Sequence, residues 1–520
     1  MPSVVKAKSY KVKEGDSIDS IAKANGMTWQ ELSRFNWDTD VPDEINKFLR
    51  DVVGCRTKTK DGKNYQFTDK DDPGILYIPE ETSLAFDSNN THNVVVVPPA
   101  IKAYIPAECE VSFRPSAKWN GEYGFDWMRV GDFPIIIEGN SINATLKFED
   151  VIGYQKIKGK DGKLKIEPDG NKFNSPFYKD AALYDKLKNE YKEEIVPYFK
   201  GDKGVPVKNF ASYLSIYVND AEFPCPQEIA LQAFVNVKLP PEKLSFKFDD
   251  TLVKLSLEEL PKATGKSELK VTVLKELEKD CTVEVISTFR NEKGITQEVV
   301  AGRLILVANS KKHRKKVKTL LVSVTTPAVT KDGERTGDAA SNVPFINTML
   351  RQALIEPVIS KIDLDFTDAK LVKDFTDNFV SGTNIADKGK VNKTYLSEYC
   401  LATLLKDEKD KTKYKDYLVA FYFAENNSTL NGYSLGHNVV LYAGALKSTS
   451  VHEWLHSLGL PHTFTGTGTF TYKYSTTENI MDYTHHRHID AATKYFDNAR
   501  ISLYHWQWKI ANAHPLTQAE

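Results

Sequence analysis

The segment from residue 452 to residue 462, His-Glu-Trp-Leu-His-Ser-Leu-Gly-Leu-Pro-His, constrains this chain of 520 residues more than any other feature. On a helix, His452 and His456 lie one turn apart on the same face, where two imidazoles can hold one metal ion. Gly459 can adopt the positive φ that ends a helix, so the chain can turn back and present His462 as a third ligand. The spacing therefore predicts a helix, a turn and a metal site within one short segment.

The number of histidines and the carboxylate beside them indicate a catalytic metal site. Three protein ligands leave a fourth position open for water, as catalytic zinc sites require. Glu453 stands beside the first histidine, where its carboxylate can accept a proton from that water. Histidine is rare in the chain, with 11 in 520 residues, yet three fall in this segment. The alternative interpretation is a helix with incidental histidines, which the long regular spacing disfavours.

The segment and the sequence after it resemble the metzincin metallopeptidases, and within them the pappalysin-like group. The resemblance rests on the long histidine pattern, on His-Thr-Phe at 462–464 with the Thr-Gly-Thr-Gly that follows, and on Asn-Ile-Met-Asp-Tyr at 479–483. It covers the expected catalytic domain at 317–520, with specific motifs only between 450 and 484.

The resemblance implies a zinc ion on the three histidines and a general base at Glu453. It implies that Met481 forms a hydrophobic floor beneath the metal, and that Tyr483 can come near the zinc and stabilise an oxyanion. The implied reaction is hydrolysis of an amide bond, with Glu453 passing the proton to the leaving nitrogen. One departure is clear, because no cysteine follows Cys400 and no disulfide can therefore surround the site.

A second signature lies near the start of the chain. Ser17 and Thr28 can each cap a short helix with inward apolar residues, and residues 76–79 suit a strand that a proline ends. Residues 1–82 resemble a LysM module, a βααβ fold that binds N-acetylglucosamine polymers such as peptidoglycan or chitin. An insertion at about 47–73, rich in lysine, aspartate and glycine, departs from this pattern and is expected to be a loop. Modules of this kind also dock onto secretion machines without binding sugar.

The expected fold is therefore multidomain, combining α+β, β and α/β parts. A β-rich domain with a helix is expected at 93–210, with a loop at 200–209. Six candidate strands separated by prolines and charged turns predict an immunoglobulin-like β-sandwich at 211–310. The basic run at 311–316 is interpreted as a solvated linker, with contact to an anionic wall polymer as the alternative. The α/β metzincin-type domain follows at 317–520.

Three further expectations concern the surroundings of the histidine segment. Ser448 or Thr449 is expected to cap the helix that carries the histidines. Residues 437–443 are expected to form a short strand, and the resemblance to metzincins implies that it is the edge of the sheet, along which an extended substrate would pair. A second metal site is conceivable at three histidines downstream but is disfavoured, because they lack a fixed helical spacing: His485, His486 and His488.

Composition excludes several classes of function. A net charge of −1 gives no electrostatic reason to expect binding to nucleic acid or to a membrane surface. No apolar run is long enough to span a membrane, and the N-terminus has no apolar signal-peptide core. The five cysteines are scattered, which favours buried free thiols over a disulfide framework. We expect a bacterial protein that is exported or associated with the envelope without a classical signal peptide, delivered in one version by a secretion machine.

These observations favour a zinc-dependent endopeptidase that acts on protein or on the peptide part of peptidoglycan and is targeted by its LysM module. One alternative is a non-catalytic protein that binds the wall or docks onto a secretion machine and carries a vestigial protease domain. Another is a protease effector that is delivered without a signal peptide, which differs from the first reading in biology rather than in mechanism.

Overall fold

The computed structural model describes residues 7–79, 106–132, 147–166, 175–200, 206–217, 226–291, 295–330, 333–484 and 500–519. The chain divides into two compact units, of which the first comprises 1–108, 238–242 and 288–298 and the second the remainder. Cys225 and the downstream histidines His485, His486 and His488 lie outside the described residues.

The regular elements are numbered here in chain order. The strands are β1 Ala7–Lys11, β2 Ile75–Pro79, β3 Glu108–Pro115, β4 Gly124–Asp126, β5 Gly153–Lys158, β6 Leu164–Ile166, β7 Phe177–Lys179, β8 Glu193–Lys200, β9 Pro206–Phe210, β10 Ser212–Ser215, β11 Glu228–Leu239, β12 Lys243–Lys247, β13 Val253–Leu255, β14 Gly265–Val273, β15 Cys281–Arg290, β16 Thr296–Leu306, β17 Lys315–Thr330, β18 Gly333–Thr336, β19 Ile355–Asp365, β20 Val380–Ser381, β21 Asn384–Ile385, β22 Leu418–Tyr422, β23 Gly432–Leu435, β24 Asn438–Leu441 and β25 Thr517–Ala519. The helices are α1 Ile18–Ala24, α2 Trp29–Trp37, α3 Pro42–Asp51, α4 Ala181–Lys188, α5 Val343–Arg351, α6 Val372–Phe379, α7 Leu396–Leu404, α8 Glu408–Tyr414, α9 Lys447–Ser457 and α10 His505–Asn512.

The N-terminal module is an antiparallel pair, β1 and β2, with helices between the two strands in the chain. Ser17 caps α1 and Thr28 caps α2, as the sequence predicts, and each cap forms a reciprocal capping box with the residue three positions on. Asn36 ties α2 to β2, because its side chain donates to the carbonyl of Tyr77 and accepts from the same residue's N–H, both at 2.9 Å. Local caps thus define where α1 and α2 begin, and the buried side-chain amide of Asn36 joins α2 to β2.

The insertion expected as a loop at 47–73 begins with the last residues of a helix and has no further helix or strand from residue 52 to residue 73. Its first residues belong to α3, which begins with Pro42 in the first turn and buries Ile45 and Leu49 on one face. Further along, Val53 and Phe67 are also buried in the core of the module. The module therefore carries a third helix that the sequence did not predict, and the loop that follows this helix places a few apolar side chains in the core.

Two sheets form the middle of the chain, in the orders β12-β15-β16-β10-β4 and β13-β14-β11-β3. Their apolar side chains belong to one buried cluster, which includes Phe113, Phe125, Leu231 and Val283. Strands β3 and β4 precede residue 210, yet they pair with strands that follow it. Of the segment expected as a loop at 200–209, residues 201–205 lie outside the described residues, and residues 206–209 belong to β9, which pairs with β8.

The last part of the chain is built on a mixed sheet in the order β18-β17-β22-β24-β23, with β19 and β25 also pairing with β17. Strand β24 runs parallel to β22 and antiparallel to β23. The prediction that the strand at 437–443 forms the sheet edge is therefore wrong, because β23 takes that terminal position. Helix α9 follows β24 closely and buries nine of its side chains, including Val451 and Trp454.

The basic run at 311–316 is not a solvated linker throughout. Arg314 is fully buried, and its guanidinium donates to Glu276 at 2.9 Å and to the carbonyl of Asn309 at 3.1 Å. Lys312 pairs with Glu278 at 2.8 Å, and strand β17 begins at Lys315. One cation of the run is thereby built into the fold and another is paired at the surface, while contact of the run with an anionic wall polymer stays a prediction.

Candidate metal centre

The three predicted histidine ligands converge. The Nε2 atom of His456 lies 3.1 Å from that of His452 and 3.1 Å from that of His462, and the last two are 3.0 Å apart. Nitrogen ligands about 2.0–2.1 Å from one tetrahedral zinc ion lie about 3.3 Å from one another. Among the described residues these three side chains form a cluster that could hold a metal ion.

The other ring nitrogens show why the Nε2 atoms are free to bind a cation. Nδ1 of His452 lies 2.9 Å from the carbonyl oxygen of Ile480, and Nδ1 of His456 lies 2.7 Å from that of Leu460. A carbonyl oxygen only accepts, so each Nδ1 carries the proton and each neutral ring keeps its lone pair on Nε2. Lone pairs directed at one another at this distance repel, and a cation between them removes the repulsion. The donor set therefore fits a metal ion.

A turn at the end of α9 positions the second and third histidines. Gly459 has a φ of +84°, its N–H donates to the carbonyl of His456, and the N–H of Leu460 donates to the carbonyl of Leu455. This pair of hydrogen bonds is the Schellman motif, which requires a left-handed residue after the helix. Because Leu460 also provides the carbonyl that receives Nδ1 of His456, the turn that ends the helix orients that ring as well.

Burial keeps the three imidazoles neutral. It lowers the pKa of His456 to about 4 and that of His462 to about 3, the latter with help from the neighbouring His456. The pKa of His452 is lowered well below its usual value by burial and by the other two rings. Neutral imidazoles are the form that binds a metal ion, so the site keeps its ligands deprotonated at neutral pH.

Glu453 lies beside the cluster in a buried position, with 7% of its surface exposed. Burial raises the pKa of its carboxyl group to about 8, while the positive charge of Arg500 acts in the opposite direction. A Cβ atom added to Gly432 would lie 3.3 Å from Cγ of Glu453, which places the edge strand β23 directly against this carboxylate.

The turn that contains Met481 is tied to the third histidine. Met481 is fully buried, and its carbonyl accepts the N–H of Thr463 at 3.1 Å, one residue after His462. Asp482 holds the turn together, because its buried carboxylate accepts four backbone N–H groups at 2.7–3.0 Å: those of Ser475, Thr476, Thr477 and Tyr483. The turn is thus closed by its own side chains and joined to the metal ligands.

The ring of Tyr483 lies beside two of the three histidines. The centre of its ring is 5.4 Å from that of His452 and 4.9 Å from that of His462. Burial raises the pKa of its hydroxyl to about 12, so the phenol keeps its proton and can donate it in a hydrogen bond. Phe464 and Tyr474 pack around it, with ring centres at 5.1 Å and 5.9 Å.

The predicted caps of α9 have a different role. The N-cap residue is Leu446, and no side chain caps the helix. Ser448 and Thr449 instead accept hydrogen bonds from the guanidinium of Arg500, at 2.6 Å and 3.3 Å. The prediction of a side-chain cap is wrong because these hydroxyls lie inside the first turn, where a buried cation takes them.

Sequence reasoning missed Arg500 and a buried ion network that holds the start of the turn. In that network Arg129 donates to Asp126 at 3.0 Å and to Glu478. The N–H of His505 donates to Asp126 at 2.7 Å. No motif marks these residues, because most of their partners lie far away in the sequence, from 52 positions for Arg500 and Ser448 to 379 for His505 and Asp126. Only the folded structure brings them together.

None of the helices in the described ranges combines the length and apolar character needed to cross a lipid bilayer.

Comparison with known proteins finds a match to a domain family. No curated protein matches the chain. Residues 10–46 match the LysM domain, and they cover the capped helices α1 and α2. The chain therefore carries a LysM domain, which implies binding to an N-acetylglucosamine polymer such as peptidoglycan or chitin and association with a cell wall.

Proposed function

We propose that this protein is a zinc-dependent endopeptidase that hydrolyses amide bonds and is brought to a bacterial envelope or secretion apparatus by its LysM domain. The observation that carries the proposal is the convergence of three neutral imidazoles on one point, with Glu453 and Tyr483 beside them. A site that only stabilised the fold would not need a carboxylate and a phenol next to three unsatisfied ring nitrogens.

His452, His456 and His462 would hold the ion. When bound, zinc acts as a Lewis acid on a carbonyl oxygen and makes water a stronger nucleophile at neutral pH. Burial raises the pKa of Glu453 to about 8, and the positive charge of a bound ion would lower it, which favours the ionised carboxylate. That carboxylate accepts the proton of the attacking water and later delivers it to the leaving nitrogen. Tyr483 donates its O–H to the oxygen on which negative charge develops. The resemblance assigns Met481, which is fully buried, to the hydrophobic floor beneath the three rings.

The edge strand β23 supplies a place for an extended peptide. It is the last strand in the order of its sheet within the described residues, and it lies against Glu453. A peptide that added to this edge would satisfy backbone groups along the strand and bring one peptide bond near the carboxylate. The substrate would then be a protein segment or a wall peptide in extended form.

The LysM domain favours a substrate within the wall, while the resemblance to metzincins favours protein. Two digestions with the full-length protein separate these substrates, one of purified peptidoglycan and one of a denatured protein. Release of new amino termini from either one identifies the class. A wall-binding protein with a vestigial site would release none and would contain no zinc after growth in zinc-replete medium.

Glu453→Gln is the sharpest variant for the catalytic claim. It should keep one zinc ion per chain and lose at least about 100-fold in rate, because the proton transfer it removes contributes about that much or more. Glu425→Gln is a matched control, since Glu425 is also a buried carboxyl with a raised pKa and bonds to Thr326. Full hydrolytic activity in Glu453→Gln would contradict the assignment.

A further inference from the structure

Arg500 carries a buried charge with an unusual set of partners. Its side chain is 2% exposed, and within the described residues no carboxylate forms an ion pair with it. The guanidinium donates instead to Ser448 Oγ at 2.6 Å, to Thr449 Oγ1 at 3.3 Å and to the carbonyl of Asp482 at 3.5 Å. Among the described residues the carboxyl groups of Glu453 and Asp482 interact with this charge without forming an ion pair with it. Burying a cation that has no paired carboxylate is costly, so its position calls for a physical reason.

The acceptors of Arg500 lie directly behind the functional residues of α9. Ser448 precedes His452 by four positions and Thr449 precedes Glu453 by four, so each pair occupies one face of the helix. The hydrogen bonds from the guanidinium to the first turn therefore lie on the two helix faces that carry His452 and Glu453.

The backbone beside Arg500 is fixed to the other half of the site. The N–H groups of Ile501 and Ser502 donate to the carbonyl of Glu478 at 3.0 Å and 3.2 Å, and the N–H of Ile480 donates to the carbonyl of Ser502 at 2.8 Å. Ile480 in turn provides the carbonyl that receives Nδ1 of His452. One short segment thus holds both the helix and the turn that orients the first ligand.

We propose that Arg500 is a positioning residue of the metal centre, which locks the first turn of α9 to the segment before Met481. The lock fixes the ring of His452 against the carbonyl of Ile480, and it fixes Glu453 relative to Tyr483. The inference rests on metal binding in the proposed function and does not depend on which bond is cut. Its effect should appear first in metal affinity, because outer partners of ligating histidines typically change that affinity by about 10–100-fold.

The test measures zinc affinity of the full-length protein by competition with a chelator, together with the visible spectrum of the Co²⁺-loaded form. Arg500→Met should weaken zinc binding by about 10–100-fold and alter the cobalt bands, while Arg500→Lys should recover part of the loss. Arg314→Met is the control, because Arg314 is equally buried and pairs with Glu276 in another part of the chain. A folded Arg500→Met protein with wild-type affinity and spectrum would overturn the proposal, as would an equal loss of affinity in Arg314→Met.

A second variant keeps the test decisive if Arg500→Met does not fold. Replacing Ser448 by Ala and Thr449 by Val removes two acceptors and leaves the arginine in place, and it should also weaken zinc binding and alter the cobalt spectrum. Unchanged affinity in this double variant would contradict the proposed lock. Failure of the proposed function looks different, because wild-type protein would then bind no zinc, or would bind zinc and cut no peptide.

Discussion

The LysM domain and the metal centre can both be recognised from short sequence motifs, but different kinds of contact stabilise them. In the LysM domain the helix caps join residues three positions apart, as in Ser17 with Ser20 and Thr28 with Glu31. In the metal centre the supporting contacts reach across the chain, from His452 to Ile480 and from Arg129 to Glu478. The metal ligands can be predicted from a short stretch of sequence, but the residues that hold them in place cannot.

This difference has an energetic side. Polar contacts of the LysM domain are mostly exposed, as in the pair of Arg34 with Asp40, and exposed pairs stabilise little. The contacts around the metal centre are buried, and a buried charge that loses its partner is strongly destabilising. Single substitutions should therefore damage the metal centre far more than the LysM domain.

The largest effect is expected for Arg129→Met. The substitution leaves the buried carboxylates of Asp126 and Glu478 without their cation, which should cost about 3–5 kcal/mol in free energy of unfolding. Peptide-resolved hydrogen exchange should show the loss at residues 478–484. Arg34→Met, which breaks an exposed pair in the LysM domain, should cost no more than about 1 kcal/mol. Similar losses in the two variants would remove the contrast between the regions.

A smaller effect is expected from pH. Burial lowers the pKa of His505 to about 3 from its usual 6.5, so below pH 6.5 the unfolded chain binds a proton that the folded chain does not. Stability should therefore fall with falling pH, by about 2 kcal/mol between pH 7 and pH 5 from this residue alone. The variant His505→Gln should lose that part of the acid sensitivity when unfolding is measured at both pH values.

The LysM domain provides the comparison for the pH experiment. Residues 7–79 contain no histidine, so the hydrogen-exchange protection of that region, corrected for the pH dependence of the intrinsic exchange rate, should change little over the same pH range. An equal loss of protection in both regions, or an unchanged pH response in His505→Gln, would contradict this account.

The smallest effect is expected for Thr28→Ala. The hydroxyl of Thr28 accepts the N–H of Glu31, so its removal should destabilise α2 by about 1 kcal/mol. Hydrogen exchange should increase at residues 29–37 and stay unchanged at 447–457, since the cap acts only on its own helix. A change in zinc affinity in this variant would show that the two regions are coupled.

The predictions made from the sequence succeed where contacts are local and fail where contacts are distant. Ser17, Thr28 and Gly459 have the predicted roles because caps and helix ends depend on neighbours within a few residues. The convergence of the three histidines was also predictable, since helix and turn geometry alone bring them together. The edge strand was not, because the four residues of β23, Gly-Tyr-Ser-Leu, are too few for their alternation to distinguish a strand from a loop.

The same reasoning explains why Arg500 and Arg129 were missed. Arg500 meets Ser448 across 52 positions and Arg129 meets Glu478 across 349, and a single arginine has no local pattern that names its partner. Likewise Ser448 and Thr449 look like caps in the sequence, and only the presence of the buried guanidinium shows why they are not. Side chains that support a site from a distance become visible only in the folded chain.

The central claim is that the three histidines hold one zinc ion, and X-ray absorption at the zinc edge of the purified full-length protein tests it most directly. The account predicts one zinc ion per chain with three imidazole nitrogens at about 2.0–2.1 Å and one further light-atom ligand. It also predicts that His456→Ala, which removes the middle ligand of the three, loses the metal. Protein without stoichiometric zinc, or zinc bound without imidazole ligands, would contradict the account.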